Sequence, residues 1–382
     1  MYRLNTEQEN IVARTRAIAD TVIARHAVDV DTQGRYPAES MKALGEAGLW
    51  GLLVPVELGG LGQGLRVLAA AVDEIAQQCA STAMIFMMHH CGVNCLLADP
   101  VKFGADLRGA AAGKQLSTLA FSERGSRSQF WAPVSKAVAA NGAVTLSAEK
   151  SWVTSAGVAD AIVASCSSAD GPGPSVFLVR GGDAGVSVSG GWDSLGMRGN
   201  QSNPMSFKDV ALNPAERLIG TDGKGDDIML GKALPVFQIC QGAIGAGLAE
   251  AAFAAAQKHI TGQGFQHTGT KLSDLPNLRA SLAEMRLETD KARAYLVATL
   301  DKLESGAADA MLHVLAVKAG SSEAAVRVTD LAMRACGGAA FSKHLGLERA
   351  FRDSRAAVVM APTTDHLREF VGRILVGLPL FG

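Results

Sequence analysis

Near the C-terminal end of the chain, the run RAAVVMAPTTDH (355–366) sets two hydroxyls, a carboxylate and an imidazole directly behind an apolar stretch. Pro362-Thr363-Thr364-Asp365 has the make-up of a helix start, with a hydroxyl to cap the first free amides and an acid in the first turn. Free N–H groups at such an end also bind phosphate. Thr363 therefore reads either as a cap alone or as a cap that also faces a phosphorylated ligand. Asp365 and His366 are the proton carriers of the run, and imidazole titrates close to neutral pH. A second concentration is HHC at 89–91, with Asn94 and Cys95 just beyond. Successive helical residues diverge by about 100°, and no closed ligand set with zinc spacing is present, so no metal site is expected. His89 and His90 read either as packed, hydrogen-bonded histidines or as proton acceptors at a substrate site.

Two further stretches, AFSERGSRSQFWAPVS (120–135) and AEKSWVTSAGVADAIVAS (148–165), each put hydroxyls and a turn beside an apolar strand. The second presents Trp152, Thr154 and Ser155 at a strand end. An indole offers a flat apolar face and a threonine a hydroxyl donor. Together they suit a planar heteroaromatic with polar edges, such as a flavin. Arg124, Arg127 and Arg198 could anchor a phosphate or carboxylate, or make ordinary ion pairs. Glu123 reads as a structural partner rather than a base.

These residues need a scaffold. The chain has 382 residues, 48% of them hydrophobic, enough for two or three domains with a large core. The 36 basic and 37 acidic groups nearly cancel, so neither nucleic acid nor anionic lipid is an expected partner. Six scattered cysteines with no CxxC pair point to a reducing, cytoplasmic setting. No signal-peptide core and no 18-residue apolar run appears, so no membrane span is expected. Residues 1–114 carry helical periodicity, broken by the Pro/Gly loop VPVELGGLGQG (54–64). Residues 115–222 are short β-branched runs punctuated by Gly, Pro and Asn, six to eight strands in all, with a hairpin turn at Asn141-Gly142. Residues 223–382 return to long helices, four or five of them, as in a bundle. Abundant Ala and Gly let such helices approach closely. A weak apolar seam suggests that bundle faces also meet a second copy, a homodimer or homotetramer.

The order helix, β, helix and several motifs resemble the acyl-CoA dehydrogenase family of flavoproteins over essentially the whole length. The matching stretches are LWGLLVPVELGGLG (49–62), AFSERGSRS, KSWVTSAG, LGMRGNQSNPMSFKDVAL (195–212), RACGGAAF and ERAFRDSRA. The resemblance implies an α+β, mainly α fold: an N-terminal helical domain, a middle β-barrel or sandwich and a C-terminal four-helix bundle, with FAD bound at interfaces. It implies that Leu119, Phe121, Ser122 and Ser128 line the isoalloxazine. Trp152 and Thr154 would stack beside it and hydrogen-bond to it. Gly337 and Gly338 would approach the adenylate across a dimer, and Thr363 would lie near the pyrophosphate. Arg334 stands where the family has Gln and could neutralise that pyrophosphate.

The sequence also departs from the family. Alignment on the Arg-Asp signature puts Ala361 at the family's catalytic glutamate, and the alternative base position, within GKALPVFQ (231–238), holds no carboxylate. Asp365, His366 and His90 are then the candidate bases. The expected activity is α,β-dehydrogenation of an acyl thioester with a relocated base, passing electrons to an electron-transfer flavoprotein. The vacated position equally suits a flavin-dependent monooxygenase served by a flavin reductase, or a non-redox thioester lyase of desulfinase type. A non-catalytic flavin-binding paralogue is the third alternative.

Overall fold

The computed structural model describes every residue except 128, 141, 170 and 382. Ser128 and the Asn141 of the expected hairpin turn thus lie outside the described residues. Six helices come first: α1 Thr6–Ile18, α2 Ala24–Gln33, α3 Ala38–Glu46, α4 Leu65–Gln78, α5 Ala80–Leu96 and α6 Gly104–Ala111. Asn5 and Gln8 close a reciprocal capping box at the start of α1. Helix α5 is buried along its whole length except at Asn94. A helix apolar all round belongs in the centre of a fold, and α5 packs between α4 and the first strand.

Eight strands follow among the described residues: β1 Ser117–Ala120, β2 Ala137–Ala140, β3 Ala143–Val153, β4 Ala161–Ser167, β5 Pro174–Arg180, β6 Val186–Val188, β7 Asn203–Leu212 and, after the short helix α7 Pro214–Arg217, β8 Leu218–Ile219. They form two four-stranded sheets, ordered β1-β4-β5-β8 and β2-β3-β7-β6. The expected barrel is not closed; the sheets remain open and face one another as a sandwich. The patterning explains why. Strands β3 and β7 alternate, so one face is buried and the other wet. Strands β4 and β5 are buried on both faces. Ile162, Ala164 and Phe177 join the core between the sheets, while Ala161, Val163, Val176 and Leu178 join the helical core. That sheet is therefore a shared wall, and a sheet covered by helices has no need to close on itself.

The chain then returns to helices: α8 Asp226–Ile228, a π-helical turn Met229–Ala233, α9 Leu234–Gly262, α10 Pro276–Glu304, α11 Ala310–Cys336, α12 Gly338–Phe341, α13 Leu347–Val359 and α14 Thr364–Leu375. Helices α9, α10 and α11 pack on one another, with α13 and α14 laid against α11. Pro235 lies inside the continuous helical stretch Asp226–Gly262, just after the π-helical turn Met229–Ala233, and a widened turn of that kind accommodates a missing N–H. A Cβ on Gly245 would come within 2.6 Å of the Ser321 carbonyl oxygen, so the close approach of α9 to α11 at that point requires glycine. The stretch Asp226–Gly262 is long and apolar enough to cross a membrane, yet 72% of its most apolar window is buried inside the protein. Its hydrophobicity is spent on the bundle core.

Candidate active site

A cleft of about 1220 Å³ opens where the sandwich meets the helices. Leu119, Phe121 and Ser122 line it from the end of β1, and Trp152 and Thr154 from the end of β3. The opposite wall is helical: Met84 and Met88 of α5, Leu234 and Phe237 of α9, and the end of α13 running into Met360-Ala361-Pro362. Five of the residues expected at the isoalloxazine thus meet in one cavity, with Ala361 across from them.

The β wall is built by an interruption. Pairing of β3 with β7 slips between Lys150 and Val153. The Ser151 N–H donates instead to the Ser122 carbonyl at 2.9 Å. Trp152 then adopts φ +58°, a left-handed conformation that a bulky side chain rarely takes. As a result its indole remains 62% exposed at the cleft while Val153 and Thr154 are buried. Trp192 meets it edge-on at 5.4 Å. The Thr154 hydroxyl lies 3.1 Å from that of Ser202, and the Thr118 hydroxyl donates to the Thr154 carbonyl at 2.8 Å. Beneath this strand end Lys150 Nζ donates to Glu123 Oε1 and to the Ser165 carbonyl, each at 2.5 Å. Burial raises the Glu123 carboxyl, but Lys150 and the Ser135 hydroxyl and amide outweigh it and hold the pKa below the usual range. Burial lowers the Lys150 ammonium, with Glu123 opposing. Glu123 is therefore the structural partner the sequence suggests.

An apolar floor, one exposed indole and a hydroxyl at the edge fit a flavin ring. Arg124, Arg127 and Arg355 also line the cleft and offer cations to phosphate or carboxylate. Arg198 does not; it donates to the Asp31 and Ser194 carbonyls.

The helical wall ends in a strap. Lys318 of α11 is fully buried and donates to the Met360 carbonyl at 2.7 Å and the Pro362 carbonyl at 2.5 Å. Burial without a carboxylate partner pushes its pKa down to about 7. The Ala361-Pro362 bond is cis. Thr363 then caps α14, its hydroxyl accepting from the His366 N–H at 3.2 Å.

The candidate bases stand elsewhere. Asp365 has its side chain 93% exposed, 3.6 Å from Arg368. His366 stacks on Phe370 and meets Trp131 edge-on, and its Nδ1 has no partner among the described residues. His90 is wholly buried in α5, with Nε2 3.2 Å from the Leu49 carbonyl, and burial lowers its pKa well below the usual value. None of the three is among the lining residues. His89 accepts the Ser117 N–H on Nδ1 at 3.0 Å, so its Nε2–H donates to the Trp50 carbonyl at 2.9 Å. Asn94 donates to the Lys232 carbonyl. The packed reading of both histidines is what the geometry displays. Gly337 and Gly338 end α11 on open surface, and Arg334 pairs with Asp330 at 3.1 Å, 70% exposed. These three, with Thr363, lie outside the cleft of a single chain.

Sequence reasoning missed Lys318 and the methionines of α5. A lysine inside an otherwise buried stripe of α11 was the available signal.

Known proteins share this fold. Residues 5–104 match the model "Acyl-CoA dehydrogenase, N-terminal domain", residues 118–210 the middle domain and residues 223–376 the C-terminal domain. The chain is 26% identical over 382 residues to cyclohex-1-ene-1-carbonyl-CoA dehydrogenase of Syntrophus aciditrophicus (strain SB), covering 98% of this chain and 91% of that protein. It shares its fold with butyryl-CoA dehydrogenase from Megasphaera elsdenii at a TM-score of 0.92, with 22% identity and 98% and 99% of the two chains covered. The fold also matches PigA in its FAD complex at a TM-score of 0.90, with 20% identity and the same coverage.

Proposed function

The chain belongs to the acyl-CoA dehydrogenase family of flavoprotein oxidoreductases, and from that premise we propose that it binds FAD in the cleft beside Trp152 and oxidises an acyl thioester between its α- and β-carbons. The observation that carries this reading is the meeting of Leu119, Phe121, Ser122, Trp152 and Thr154 in one cavity, opposite Ala361. In that reading the flavin supplies, when bound, acceptance of a hydride from the β-carbon. Trp152 covers one face of the ring, and Thr154 and Ser122 offer hydroxyls to its polar edge. Met84, Met88, Leu234 and Phe237 exclude water from the acyl group. Arg334, Gly337, Gly338 and Thr363 are assigned to the phosphate and adenylate parts, at a subunit contact in a homodimer or homotetramer. Exposed Phe341 and Leu287, 85% and 62% accessible, support such an oligomer. An electron-transfer flavoprotein is the proposed acceptor.

The α-proton needs a base, and one observation favours a second reading. Among the described lining residues the carboxylates are Glu123 and Glu149. Glu123 is held by Lys150, and Glu149 accepts from the Ser206 hydroxyl at 2.7 Å. Neither stands on the Ala361 wall. A flavin-dependent monooxygenase, fed by a flavin reductase, or a lyase of the desulfinase type, requires no such base. A flavin-binding paralogue without activity requires none either.

Anaerobic titration with acyl-CoA thioesters tests these readings. Bleaching of the flavin by a thioester supports dehydrogenation. Bleaching by dithionite or a reductase alone, with product formed on admitting oxygen, supports the monooxygenase. Colourless protein that takes up no FAD overturns the flavin assignment. Ala361→Glu sharpens the test, because a positioned base contributes 10²–10⁴-fold. If a missing base is what limits the wild type, this variant bleaches at least about tenfold faster. An unchanged rate places the working base elsewhere, with His366 the first to substitute.

A further inference from the structure

The helical wall of the cleft backs onto a buried amide, where a plain alkyl chain gains nothing from polarity. Leu234 and Phe237 of α9 line the cavity, and the same helical face continues one turn deeper to Gln241. Gln241 is wholly buried. Its Nε2 lies 3.3 Å from the sulfurs of Met84 and Met360 and 3.6 Å from that of Met87. Thioethers are weak acceptors, and Gln241 Oε1 has no partner among the described residues. Met84 and Met360 themselves line the cleft. A layer of unbranched, adaptable methionine side chains is therefore all that separates the cavity from a primary amide whose hydrogen bonds are poorly made. Among the described residues, both amide atoms of Gln238, one turn earlier on α9, and the hydroxyls of Ser321 and Ser322 on the adjoining α11 are also buried without a partner. Buried polar groups are ordinarily paired, and an unpaired amide directly behind cleft-lining methionines needs a cause.

We propose that Gln241 is a specificity-determining residue which receives a hydroxyl on the far end of the acyl group. This rests on the thioester reading above and extends it to the substrate class, a hydroxylated acyl thioester. A hydroxyl donates one hydrogen bond and accepts another. It can give its proton to Gln241 Oε1 and accept from Nε2, replacing a sulfur. A hydrocarbon end leaves Oε1 unpaired. A carboxylate end puts its lone pairs against those of Oε1. The nearby cation, Lys318, already donates to two carbonyls of the strap.

Equilibrium dialysis of the purified protein against CoA thioesters tests this without turnover. The probes are straight-chain acyl-CoA thioesters, their ω-hydroxy counterparts of equal length and the corresponding dicarboxylic half-thioesters, taken over a ladder of lengths. At one length the wild type binds the hydroxylated thioester about tenfold tighter than the plain one, the worth of one well-made neutral hydrogen bond. Gln241→Met, close in volume and lacking the amide, binds the two alike, and its melting temperature confirms that it is folded. Equal binding of plain and hydroxylated thioesters by the wild type at every length overturns the inference and leaves the thioester reading intact. Tightest binding of the dicarboxylic probes also overturns it and transfers the role to Lys318. Failure of every thioester to bind removes the inference and the thioester reading together.

Discussion

Trp152 shows what a single residue is asked to bear at this site. Its left-handed backbone costs about 1–3 kcal/mol, and its ring stays mostly in the open. The edge-on contact with Trp192 at 5.4 Å offsets about 0.5–1.5 kcal/mol of it. The bulge at Lys150–Val153 and the Ser151-to-Ser122 hydrogen bond hold it in place. A residue strained and exposed at once reads as one shaped for a ligand. Trp152→Ala is therefore expected to melt within a few degrees of the wild type while losing about tenfold or more in flavin retention. The ratio of visible to protein absorbance after gel filtration measures it. Loss of folding with unchanged colour per folded molecule would sink the assignment. Ala361 makes the complementary point. Its small side chain puts no proton acceptor on the helical wall of the cleft at that position, and in the proposed reading the reaction class turns on it.

At the scale of elements, α5 is a buried rod fastened by its imidazoles. His89 joins the Trp50 carbonyl to the Ser117 amide, and so ties the loop after α3 to the first residue of β1. Burial lowers its pKa to about 4, from an ordinary value near 6.5. Between those limits the unfolded chain binds the proton and the folded chain does not. Stability is thus fully present above pH of about 6.5 and falls as the pH drops toward 4, by on the order of 3 kcal/mol from this group. His90 acts in the same sense. Asp353, buried and accepting the Met197 N–H at 2.6 Å, has its pKa raised to about 6 and acts in the opposite sense below that pH. Comparing His89→Asn with the wild type isolates the histidine. Urea midpoints at pH 7 and pH 5 should differ less in the variant. An identical pH dependence would mean that His89 is already charged in the fold. The bundle follows a related logic. Lys318 anchors the strap that carries Ala361, so α11 sets the position of a wall it never lines itself.

At the scale of the whole molecule, the N-terminal helices and the bundle are joined by charge as well as by apolar burial. Asp73 of α4 accepts from Tyr2 at 2.8 Å and from Arg293 of α10 at 2.8 and 2.9 Å, and Arg293 also pairs with Glu250 of α9. Arg293 and Asp73 are both buried. Removing one partner strands the other's charge, which costs about 3–5 kcal/mol. Arg293→Met should lower the unfolding free energy measured by denaturant titration by that much, and Asp73→Asn in the same chain should recover part of it. If the double variant is no better than the single one, the pair is not what links the two helical parts. Much of this architecture could be read along the chain. Periodicity and turn residues gave the order helix, β, helix; Thr363 declared itself a cap; and Trp152 with Thr154 marked a strand end that lines the cleft, because strand alternation and side-chain shape are local properties. Other features depended on which distant segments come together. Both faces of β4 and β5 are apolar in sequence, yet only the helices packed against them show why the sheets stay open. His90 and Asp365 look alike as proton carriers, but one ends in the core and the other in solvent. The chemistry of a side chain is written in its type. Whether it meets a ligand, another side chain or water is fixed by contacts between residues far apart in the chain, and those exist only once the chain is folded.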